Sequence, residues 1–548
     1  MPIHNYLSVH LGSYHAAVLA ALARMEAQQI ISRIWKRDHT VWKPEPTEIT
    51  NRLGWLDTPE NMRGKVAEIV EFVAAVRAAG YTDVLLLGMG GSSLAAKVLR
   101  YNVAPPEMPL RLSILDSTDP GAVLGYADRL DAAHTLYIVS TKSGSTAETL
   151  SFFKFFYNRT VESLGVEEAG HHFVAVTDPG SGMAKLARQH RFRATFLNDP
   201  TIGGRNSALS YFGLLPAGLA GVDLSRLLER GKHTAQDCTA RPTDNPAAWL
   251  GTILGVLAQA GRDKMTLITS PAISHFADWT EQLIAESTGK EGKGILPVVG
   301  EPLGSPAVYG DDRYFVHLRM EDDTTHDAAV QTLTEAGFPV VRLLLRDPYD
   351  IGSQFYLWEM ANAITGHHLA INPFDQPNVE AAKAQARKMV AAYTENGALP
   401  SNTPAPADDA ILHEFLEQGR PGDYVAIQAY LNPTAETTAA LQALRTALRD
   451  RLKLAVTIGY GPRYLHSTGQ LHKGDAGNGL FVLLTADNPR DAPIPEEAGQ
   501  PETALTFGIL KMAQALGDRQ ALVDNGRQVV HFHLGEDVLA GIEKLERG

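Results

Sequence analysis

Four short apolar runs, each separated from the next by a helical stretch, constrain the fold of this chain most strongly. They occupy residues 84–87, 112–115, 136–139 and 173–176. None of them alternates between apolar and polar residues, so both faces of each predicted strand are expected to be covered. The pattern predicts an α/β fold in which a parallel sheet is flanked by helices.

The same pattern returns twice further along the chain. A helical stretch at 245–260 leads into strand candidates at 265–269, 314–318 and 340–344. Beyond a Pro- and Ala-rich segment at 398–409, which reads as a linker, strand candidates follow at 424–428, 454–458, 480–484 and 529–533. The strand-plus-helix units that start near Tyr314 and Leu480 resemble each other loosely, a weak indication of related architecture.

A chain of 548 residues is too long for a single core. We expect an N-terminal helical segment at 1–47, an α/β domain at 48–235, a second at 236–397, and a C-terminal α/β region at 398–548 that contributes to the active site.

Composition excludes several classes of function. The formal net charge of -13 argues against non-specific binding of nucleic acid. Cys238 is the only cysteine, so no intrachain disulfide is possible. The longest apolar stretch, 211–222, is interrupted by Pro216 and three glycines, so no membrane span is expected. The first residues lack the basic start and apolar core of a signal peptide, and a cytoplasmic location is expected.

The segment STKSGSTAET, residues 140–149, directly follows the third apolar run. It surrounds Lys142 and Gly144 with hydroxyl side chains that include Thr141, Ser143 and Thr146. Hydroxyls and free N–H groups at the start of a helix can bind phosphate oxygens, and glycine allows a close backbone approach. The segment predicts a phosphate-binding loop; the alternative is a polar turn that only caps the next helix.

A second loop, GMGGSSLAA at 88–96, follows the first apolar run. It resembles a dinucleotide-binding fingerprint, with Asp116 near the position of a ribose ligand, but Ser93 stands where the third glycine belongs. The alternative is that Gly91 and Ser92 form the second wall of a phosphate or sugar site, because consecutive strand ends meet at one edge of the sheet.

Two charged residues are candidates for the chemistry itself. Arg205 follows two glycines in IGGRNSALS, where its rigid guanidinium could meet an oxyanion; the alternative is a surface salt bridge. Glu286 lies at the end of a helical run before STGK and is a candidate general base; the alternative is an ordinary surface glutamate.

Further candidates lie in the second half of the chain. Gln376 and Lys383 would share a helix face if the helix that begins near Pro377 includes both; the alternative for Lys383 is a solvated charge on the helix surface. His466 and His472 lie in YLHSTGQLHKG and could shuttle protons, or they are ordinary loop histidines. The other histidine pairs lack the spacing or partners of ligands, so no metal site is predicted.

Taken in order, GMGGSS, STKSGSTAET, GGRNS, ESTGK and FDQPNVEAAK resemble the motifs of the phosphoglucose isomerase (glucose-6-phosphate isomerase) family. The last third is similar to the version that some bacteria fuse behind a transaldolase, although no transaldolase domain is evident here. The resemblance implies two sugar-isomerase domains with parallel sheets flanked by helices, plus a C-terminal α/β extension. It also implies reversible conversion of glucose 6-phosphate to fructose 6-phosphate through a cis-enediol(ate), in glycolysis and gluconeogenesis, by a homodimer without metal or cofactor.

The resemblance further implies a role for each motif residue. It places Gly91 and Ser92 at the sugar, and it assigns the phosphate to Thr141, Lys142, Ser143 and Thr146. It implies that Glu286 moves a proton between C1 and C2 while Arg205 stabilises the enediolate. It also implies that Gln376 and Lys383 line the site, that Lys383 helps ring opening, and that Glu148 approaches the ring-opening histidine.

One departure from the family concerns that histidine. In the family it lies between the ESxGK and FDQ motifs, but no histidine at 291–371 has a comparable setting. LHSTGQLHKG resembles the family segment, so the role is assigned to His466, out of the usual chain order. The alternatives are His472 or the loss of enzymic ring opening. Many family dimers donate this histidine from the neighbouring subunit, so its chain of origin stays open.

The sequence is also compatible with three alternative functions. Sugar-isomerase domains can act as non-catalytic sugar-phosphate sensors, a related isomerase could also accept mannose 6-phosphate, and GMGGSS alone would fit an NAD-dependent enzyme.

Overall fold

The α/β elements of this protein form three largely parallel sheets with helices packed against them, as the sequence predicts. The structure, a computed structural model, describes residues 2–4, 6–400 and 403–546. Within the predicted linker, 401 and 402 lie outside the described residues, as do 1, 5, 547 and 548. None of the helices in the described ranges is long and apolar enough to cross a bilayer.

The N-terminal segment differs from the predicted all-helical form. Its elements are β1 (Pro2–His4), β2 (Leu7–His10), α1 (His15–Ala27) and α2 (Ile30–Trp35). Leu7 and Val9 are buried and alternate with Ser8 and His10, which is the period of a half-buried strand. The helical prediction is therefore wrong for this stretch, and β2 joins the second sheet as an antiparallel strand.

The first sheet has the strand order β4-β3-β5-β6-β7, and all its pairings are parallel. The elements of this part of the chain are α3 (Thr58–Arg63), α4 (Val66–Ala78), β3 (Asp83–Leu87), α5 (Leu94–Asn102), β4 (Arg111–Leu115), α6 (Pro120–Arg129), β5 (Thr135–Ser140), α7 (Ala147–Leu164), α8 (Val166–Ala169), β6 (Phe173–Thr177), α9 (Gly182–Gln189), β7 (Ala194–Leu197), α10 (Tyr211–Leu219) and α11 (Leu224–Asp237).

The second sheet has the order β1-β2-β11-β10-β8-β9, with β8 to β11 parallel. Its elements are α12 (Pro246–Gln259), β8 (Lys264–Thr269), α13 (Phe276–Thr288), β9 (Leu296–Val299), β10 (Arg313–Met320), α14 (Asp327–Glu335), β11 (Val340–Leu345), α15 (Ile351–Leu369) and α16 (Val379–Asn396). Helix α15 is buried around most of its circumference because α11, α12 and α13 all pack against it.

The third sheet has the order β12-β18-β15-β13-β14, again with parallel pairings. Its part of the chain contains β12 (Ala405–Pro406), α17 (Asp409–Leu416), β13 (Tyr424–Tyr430), α18 (Ala435–Leu452), β14 (Ala455–Tyr460), α19 (Gly469–Gly474), β15 (Gly479–Thr485), β16 (Pro493–Pro495), β17 (Thr503–Thr506), α20 (Phe507–Asp524), β18 (Gln528–His533) and α21 (Val538–Glu546). Strands β16 and β17 form a separate antiparallel pair.

All three sheets share one core strand order. Numbered within each unit, the order is second, first, third, fourth: β4-β3-β5-β6, β9-β8-β10-β11 and β14-β13-β15-β18. Strands β10 and β15 hold the same third place, which matches the loose likeness of their sequences. The C-terminal extension is thus a third α/β unit of the same strand order as the other two. In such sheets ligands bind beyond the carboxyl ends of the strands.

Candidate functional site

The predicted phosphate loop connects the end of β5 to the start of α7. Thr146 is the residue before the first turn of α7, and its hydroxyl lies 3.2 Å from that of Thr141. The Thr141 hydroxyl also accepts a hydrogen bond from the Gly144 amide at 3.3 Å. Gly144 has φ of +72°, and a Cβ there would overlap the backbone nitrogen of Met183. Only glycine fits this turn. The loop therefore brings hydroxyl groups close to the first N–H groups of α7, a combination that can bind an anion.

Lys142 is engaged differently from a free phosphate-binding lysine. Its ammonium pairs with Asp178 and donates to the carbonyl oxygen of Pro200 at 3.0 Å. Burial raises the pKa of the Asp178 carboxyl, and the Lys142 ammonium opposes this rise. The local positive field of the loop therefore comes mainly from the N-terminus of α7 rather than from an unpaired ammonium.

Gly91 brings the first glycine loop into backbone contact with the segment that contains Arg205. A Cβ at position 91 would overlap the carbonyl group of Gly204, so a side chain does not fit there. The Ser140 hydroxyl donates to the carbonyl of Ser92 at 2.7 Å, which ties this loop to the end of β5. The two loops after β3 and β5 therefore meet at one edge of the first sheet.

Arg205 is only 3 % exposed, so it is not part of a surface salt bridge. Its Nε lies 3.6 Å from Oε2 of Glu286. Its Nη2 donates to Oε1 of Gln376 at 2.6 Å and to the carbonyls of Phe374 and Asp375 at 3.0 Å. The guanidinium thus joins Glu286, near the end of α13, to the FDQ motif.

Gln282 is a site residue that the sequence analysis missed. Its Nε2 donates both to Oε2 of Glu286 at 3.0 Å and to the carbonyl of His466 at 2.7 Å. One amide therefore positions the carboxylate and the histidine segment together. Its spacing of four residues before Glu286 was the available signal, because residues so spaced lie on one helix face.

Lys290 is the last residue of the ESTGK motif, and the sequence predicts no role for it. Its ammonium donates to Oδ1 and the carbonyl of Asp375, each at 2.6 Å, and to the carbonyl of Asn372 at 2.8 Å. Burial and the nearby Arg205 lower the pKa of Lys290 to about 8. Lys290 therefore fixes the loop that carries Gln376.

His466 lies at the same centre although it comes from the third α/β unit. Its Nε2 is 2.9 Å from Oε1 of Glu148, in the first turn of α7. A Cβ at Gly90 would come within 2.9 Å of the His466 Cβ, so His466 packs directly on the first glycine loop. Burial raises the pKa of the Glu148 carboxyl, but His466 outweighs this effect and holds the pKa below its ordinary value.

Glu148 has a second partner that carried no signal in the sequence. Gln514, on α20, donates from Nε2 to Oε1 of Glu148 at 2.8 Å. The same oxygen therefore accepts a hydrogen bond from Gln514 and contacts His466, and both residues belong to the third unit. Glu148 is only 5 % exposed.

A family model described as phosphoglucose isomerase matches residues 59–296. The glucose-6-phosphate isomerase of Rubrobacter xylanophilus is 30% identical over 362 residues, which cover 57% of this chain and 84% of that protein. That of Symbiobacterium thermophilum is 31% identical over 382 residues, covering 60% and 85%. This chain belongs to the phosphoglucose isomerase family.

Two solved structures extend this similarity. A hypothetical protein from Thermus thermophilus is 27% identical with a TM-score of 0.59, covering 70% of this chain and 100% of its own. A glucose-6-phosphate isomerase from Chlamydia trachomatis is 19% identical with a TM-score of 0.62, covering 75% and 91%, and shows the shared fold. The match to the phosphoglucose isomerase model contains the glycine, phosphate, Arg205 and Glu286 segments. It ends before Gln376, Lys383 and His466.

His472, the alternative to His466, is a core residue. It is 3 % exposed and packs among aromatic rings that include Tyr424 and Phe481. Burial lowers its pKa well below the ordinary value. A neutral imidazole enclosed by rings is not placed to exchange protons with a sugar.

Gln376 and Lys383 do not share a helix face, because α16 begins only at Val379. Gln376 and Pro377 therefore precede the helix, and that part of the prediction is wrong. Lys383 pairs with Glu380 at 2.9 Å and has a side chain that is 44% exposed. Its charge also helps to lower the pKa of Glu148, so the ammonium lies in the neighbourhood of the site without contacting it.

Metal-ligating side chains do not cluster in the described parts of the chain. No set of three or more His, Cys, Asp or Glu side chains that could hold a metal ion occurs among the residues that the structure describes.

Proposed function

We infer that this chain is an aldose–ketose isomerase that interconverts glucose 6-phosphate and fructose 6-phosphate, a step of glycolysis and gluconeogenesis. Its relatives carry the name glucose-6-phosphate isomerase. The observation that carries the residue assignment is the pairing of His466 with Glu148 beside Gly90, with Gln282 linking this segment to Glu286.

We propose that the phosphate is held by the loop of Thr141, Ser143 and Thr146 and the first N–H groups of α7. Lys142 acts through its backbone, since its ammonium neutralises Asp178. A dianionic phosphate gains from the positive end of the 18-residue helix α7. Gly91 and Ser92, on the neighbouring loop, then line the sugar.

Ring opening is assigned to His466, held by Glu148. The C1–O5 bond of the pyranose breaks and O5 receives a proton from the imidazole, while the C1 hydroxyl gives up its proton to water as the carbonyl forms. The imidazole regains a proton from solvent, so the step balances. The carboxylate of Glu148 holds the imidazole in one orientation. Lys383, near Glu148, contributes a positive charge at the edge of this centre.

Isomerisation of the open chain is assigned to Glu286. The carboxylate takes the C2 proton, a cis-enediol(ate) forms, the O2 hydroxyl proton passes to O1, and the same carboxyl returns a proton to C1 to give the ketose. Arg205 opposes the charge that develops on the enediolate oxygen, and loss of one such donor costs about 3 kcal/mol of transition-state stabilisation. Glu286 is partly accessible, with a side chain that is 14% exposed, as a group that touches substrate must be.

The deciding experiment uses Glu286→Gln in deuterated water. Exchange of the C2 proton with solvent should stop, while sugar-phosphate binding, measured as a thermal shift, persists. Glu286→Asp keeps a carboxylate and should retain slow exchange. Unchanged exchange in Glu286→Gln would contradict the assignment of the base.

Assays of the purified wild-type protein test two alternative functions. A sugar-phosphate sensor would bind without turnover in a coupled isomerase assay, and family membership does not favour it. An isomerase of broader specificity would also convert mannose 6-phosphate, which the assay measures directly.

We further propose that the protein acts in the cytoplasm and forms a homodimer, as the family resemblance implies. Analytical ultracentrifugation measures the second point. His466 and Glu148 meet within one chain, so a dimer would not be needed to complete this centre.

A further inference from the structure

Helix α20 carries a row of polar side chains that is buried along its length. Lys511, Gln514 and Asp518 are all buried. Their spacing of three and four residues places them on one face of the helix. Polar and charged groups are costly to bury unless they are paired. The partner of each group therefore indicates what the helix holds in place.

Lys511 ties the helix to the first α/β unit. Its ammonium donates to Oδ2 of Asp119 at 2.7 Å and to Oδ1 of Asn488 at 2.6 Å. Asp119 in turn caps the start of α6, because its Oδ1 accepts a hydrogen bond from the Gly121 amide at 2.9 Å. The first half of α20 is therefore fixed to the loop that follows β4.

Asp518 holds the short helical turn Arg463–His466, which ends at the histidine assigned to ring opening. Its Oδ2 accepts a hydrogen bond from the Tyr464 hydroxyl at 2.6 Å, and its Oδ1 pairs with the Lys473 ammonium at 2.5 Å. Tyr464 lies in the same turn as the histidine and precedes it by two residues. The position of this turn therefore depends on α20.

Helix α16, which carries Lys383, also packs on α20. A Cβ at Gly517 would lie 2.6 Å from the backbone nitrogen of Ala386, so glycine is needed for the two helices to approach this closely. Helix α20 therefore contacts the supports of all three groups assigned above to ring opening, which are Lys383, His466 and Glu148.

Gln514 is the member of this face that reaches the ring-opening pair directly. Its Nε2 donates to Oε1 of Glu148 at 2.8 Å, and its Oε1 accepts a hydrogen bond from the Thr118 hydroxyl at 2.9 Å. An ionised carboxylate can only accept hydrogen bonds, so the NH2 end of the amide must face Glu148. The hydroxyl donor at the other end fixes the same orientation, and both contacts therefore agree.

The contact with Gln514 falls on the oxygen that matters for the imidazole. Oε1 of Glu148 is also the atom that lies 2.9 Å from Nε2 of His466. A carboxylate held by the imidazole alone could rotate and carry the ring with it. A second donor, brought by a separate helix, fixes the oxygen from another direction, and a hydrogen bond to a charged acceptor is among the stronger ones.

We propose that Gln514 is a positioning residue for ring opening, and that it acts by fixing the Glu148 oxygen that holds the imidazole of His466. This role rests on the functions proposed above for Glu148 and His466. Thr118 acts one step further back, because its hydroxyl orients the Gln514 amide. The orientation of the imidazole is then set by a helix of the third unit that itself does not touch the sugar.

The kinetic test is a double-mutant cycle with Gln514→Met and Glu148→Gln in the full chain. Methionine is unbranched like glutamine but has no N–H group. Gln514→Met should lower turnover of the closed-ring sugar about tenfold, the size of one hydrogen bond to a charged group, and should change turnover of an open-chain analogue little. Added to Glu148→Gln, it should cause almost no further loss, because it acts through Glu148. Additive losses, or equal losses on both substrates, would overturn the proposal.

Two further variants separate positioning from a general effect on α20. Thr118→Val removes the hydroxyl that orients the amide and should give a smaller loss in the same direction. Gln520→Met is the matched control, because Gln520 lies on the same helix and donates to Asp524 at an exposed position; it should retain full turnover. Full turnover in Thr118→Val would overturn the role of the amide orientation. A loss in Gln520→Met as large as that in Gln514→Met would overturn the positioning role.

A measurement on the imidazole itself does not depend on turnover. In protein with 15N-labelled histidine, the Nε2–H signal of His466 is identified by its loss in His466→Gln. It should be sharp in wild type and broadened by exchange with water in Gln514→Met. If Gln514→Met does not fold, Thr118→Val gives the same comparison. An unchanged signal would overturn the proposal. A wild-type protein without isomerase activity would contradict the proposed function, while this signal would still decide whether Gln514 positions His466.

Discussion

Nε2 of His466 lies 2.9 Å from Oε1 of Glu148, although 318 residues separate the two in sequence. Glu148 belongs to the helix that starts at the phosphate loop of the first unit. His466 follows β14 of the third unit. The C-terminal α/β unit therefore contributes a side chain to the candidate site and is not an appendage to it.

Glu148→Gln should lower turnover of the closed-ring sugar about 100-fold, within the usual contribution of acid–base catalysis. The amide removes the negative charge that holds His466, while turnover of an open-chain analogue should change little. Stopped-flow kinetics with both substrates measure the split. The sequence TAET also begins α18, where Glu436 is exposed, so Glu436→Gln is the matched control and should be neutral. Equal losses on both substrates would contradict a role in ring opening.

Gln282→Leu should reduce kcat about tenfold, with little change in KM, because it removes the donor that joins Glu286 to the His466 carbonyl. Gln282→Glu has the same size but places an acceptor and a charge beside Glu286, so its loss should be larger. Steady-state kinetics of the two variants give the order. Full activity in Gln282→Glu would show that this contact does not position the base.

The strands that sequence analysis predicted are those with continuous apolar runs, because burial on both faces leaves that signature. Edge strands without such a run escaped it, and β7 and β9 are two examples. In β7 only Phe196 is buried, and β9 contains Pro297, which is normally a sign against a strand and is tolerated at an edge.

The candidate site likewise contains residues that local motifs predict and residues that only the packing of distant segments brings together. Arg205, Glu286 and the proposed phosphate loop lie in compact motifs, so the roles proposed for them could be inferred from local sequence. Gln514 reaches Glu148 only through packing of α20 against the first unit, and nothing in its own surroundings marks it. The engagement of Lys142 by Asp178 is also a tertiary effect, because 36 residues separate the pair.

Gly91→Ala should destabilise the protein by about 1–3 kcal/mol and remove most activity, because its Cβ would overlap the Gly204 carbonyl. Urea unfolding measures the first effect and the coupled assay the second. Gly204→Ala is the matched control on the facing loop, where a Cβ meets no atom within 4 Å. If both variants lose equal stability, close contact between the loops is not the cause.

Lys290 gives a prediction about pH. Its pKa of about 8 in the folded protein lies below the ordinary lysine value near 10.4. Between these values the unfolded chain binds more protons, so this group makes the free energy of unfolding rise as the pH increases. The full gain is on the order of 3 kcal/mol and is absent below pH 8.

Lys290→Met should lack this gain. The difference in unfolding free energy between wild type and variant should therefore move in favour of wild type from pH 7 to pH 10. Lys293→Met is the control for the loss of one positive charge, because the Lys293 ammonium also donates to a backbone carbonyl, that of Leu369. A difference that stays constant with pH would contradict the lowered pKa.

The last prediction concerns which chain supplies the histidine. If His466 acts within its own chain, a mixture of Glu286→Gln and His466→Ala chains contains no intact site, even after subunits exchange. If the partner supplied it, mixed dimers would each hold one intact site, and activity would return to about a quarter of wild type. We expect no recovery when the variants are unfolded and refolded together, with each refolded alone for comparison. We also expect the specific activity of wild type to stay constant on dilution through any dimer dissociation. Recovered activity would mean that the contact between His466 and Glu148 is made between chains in solution.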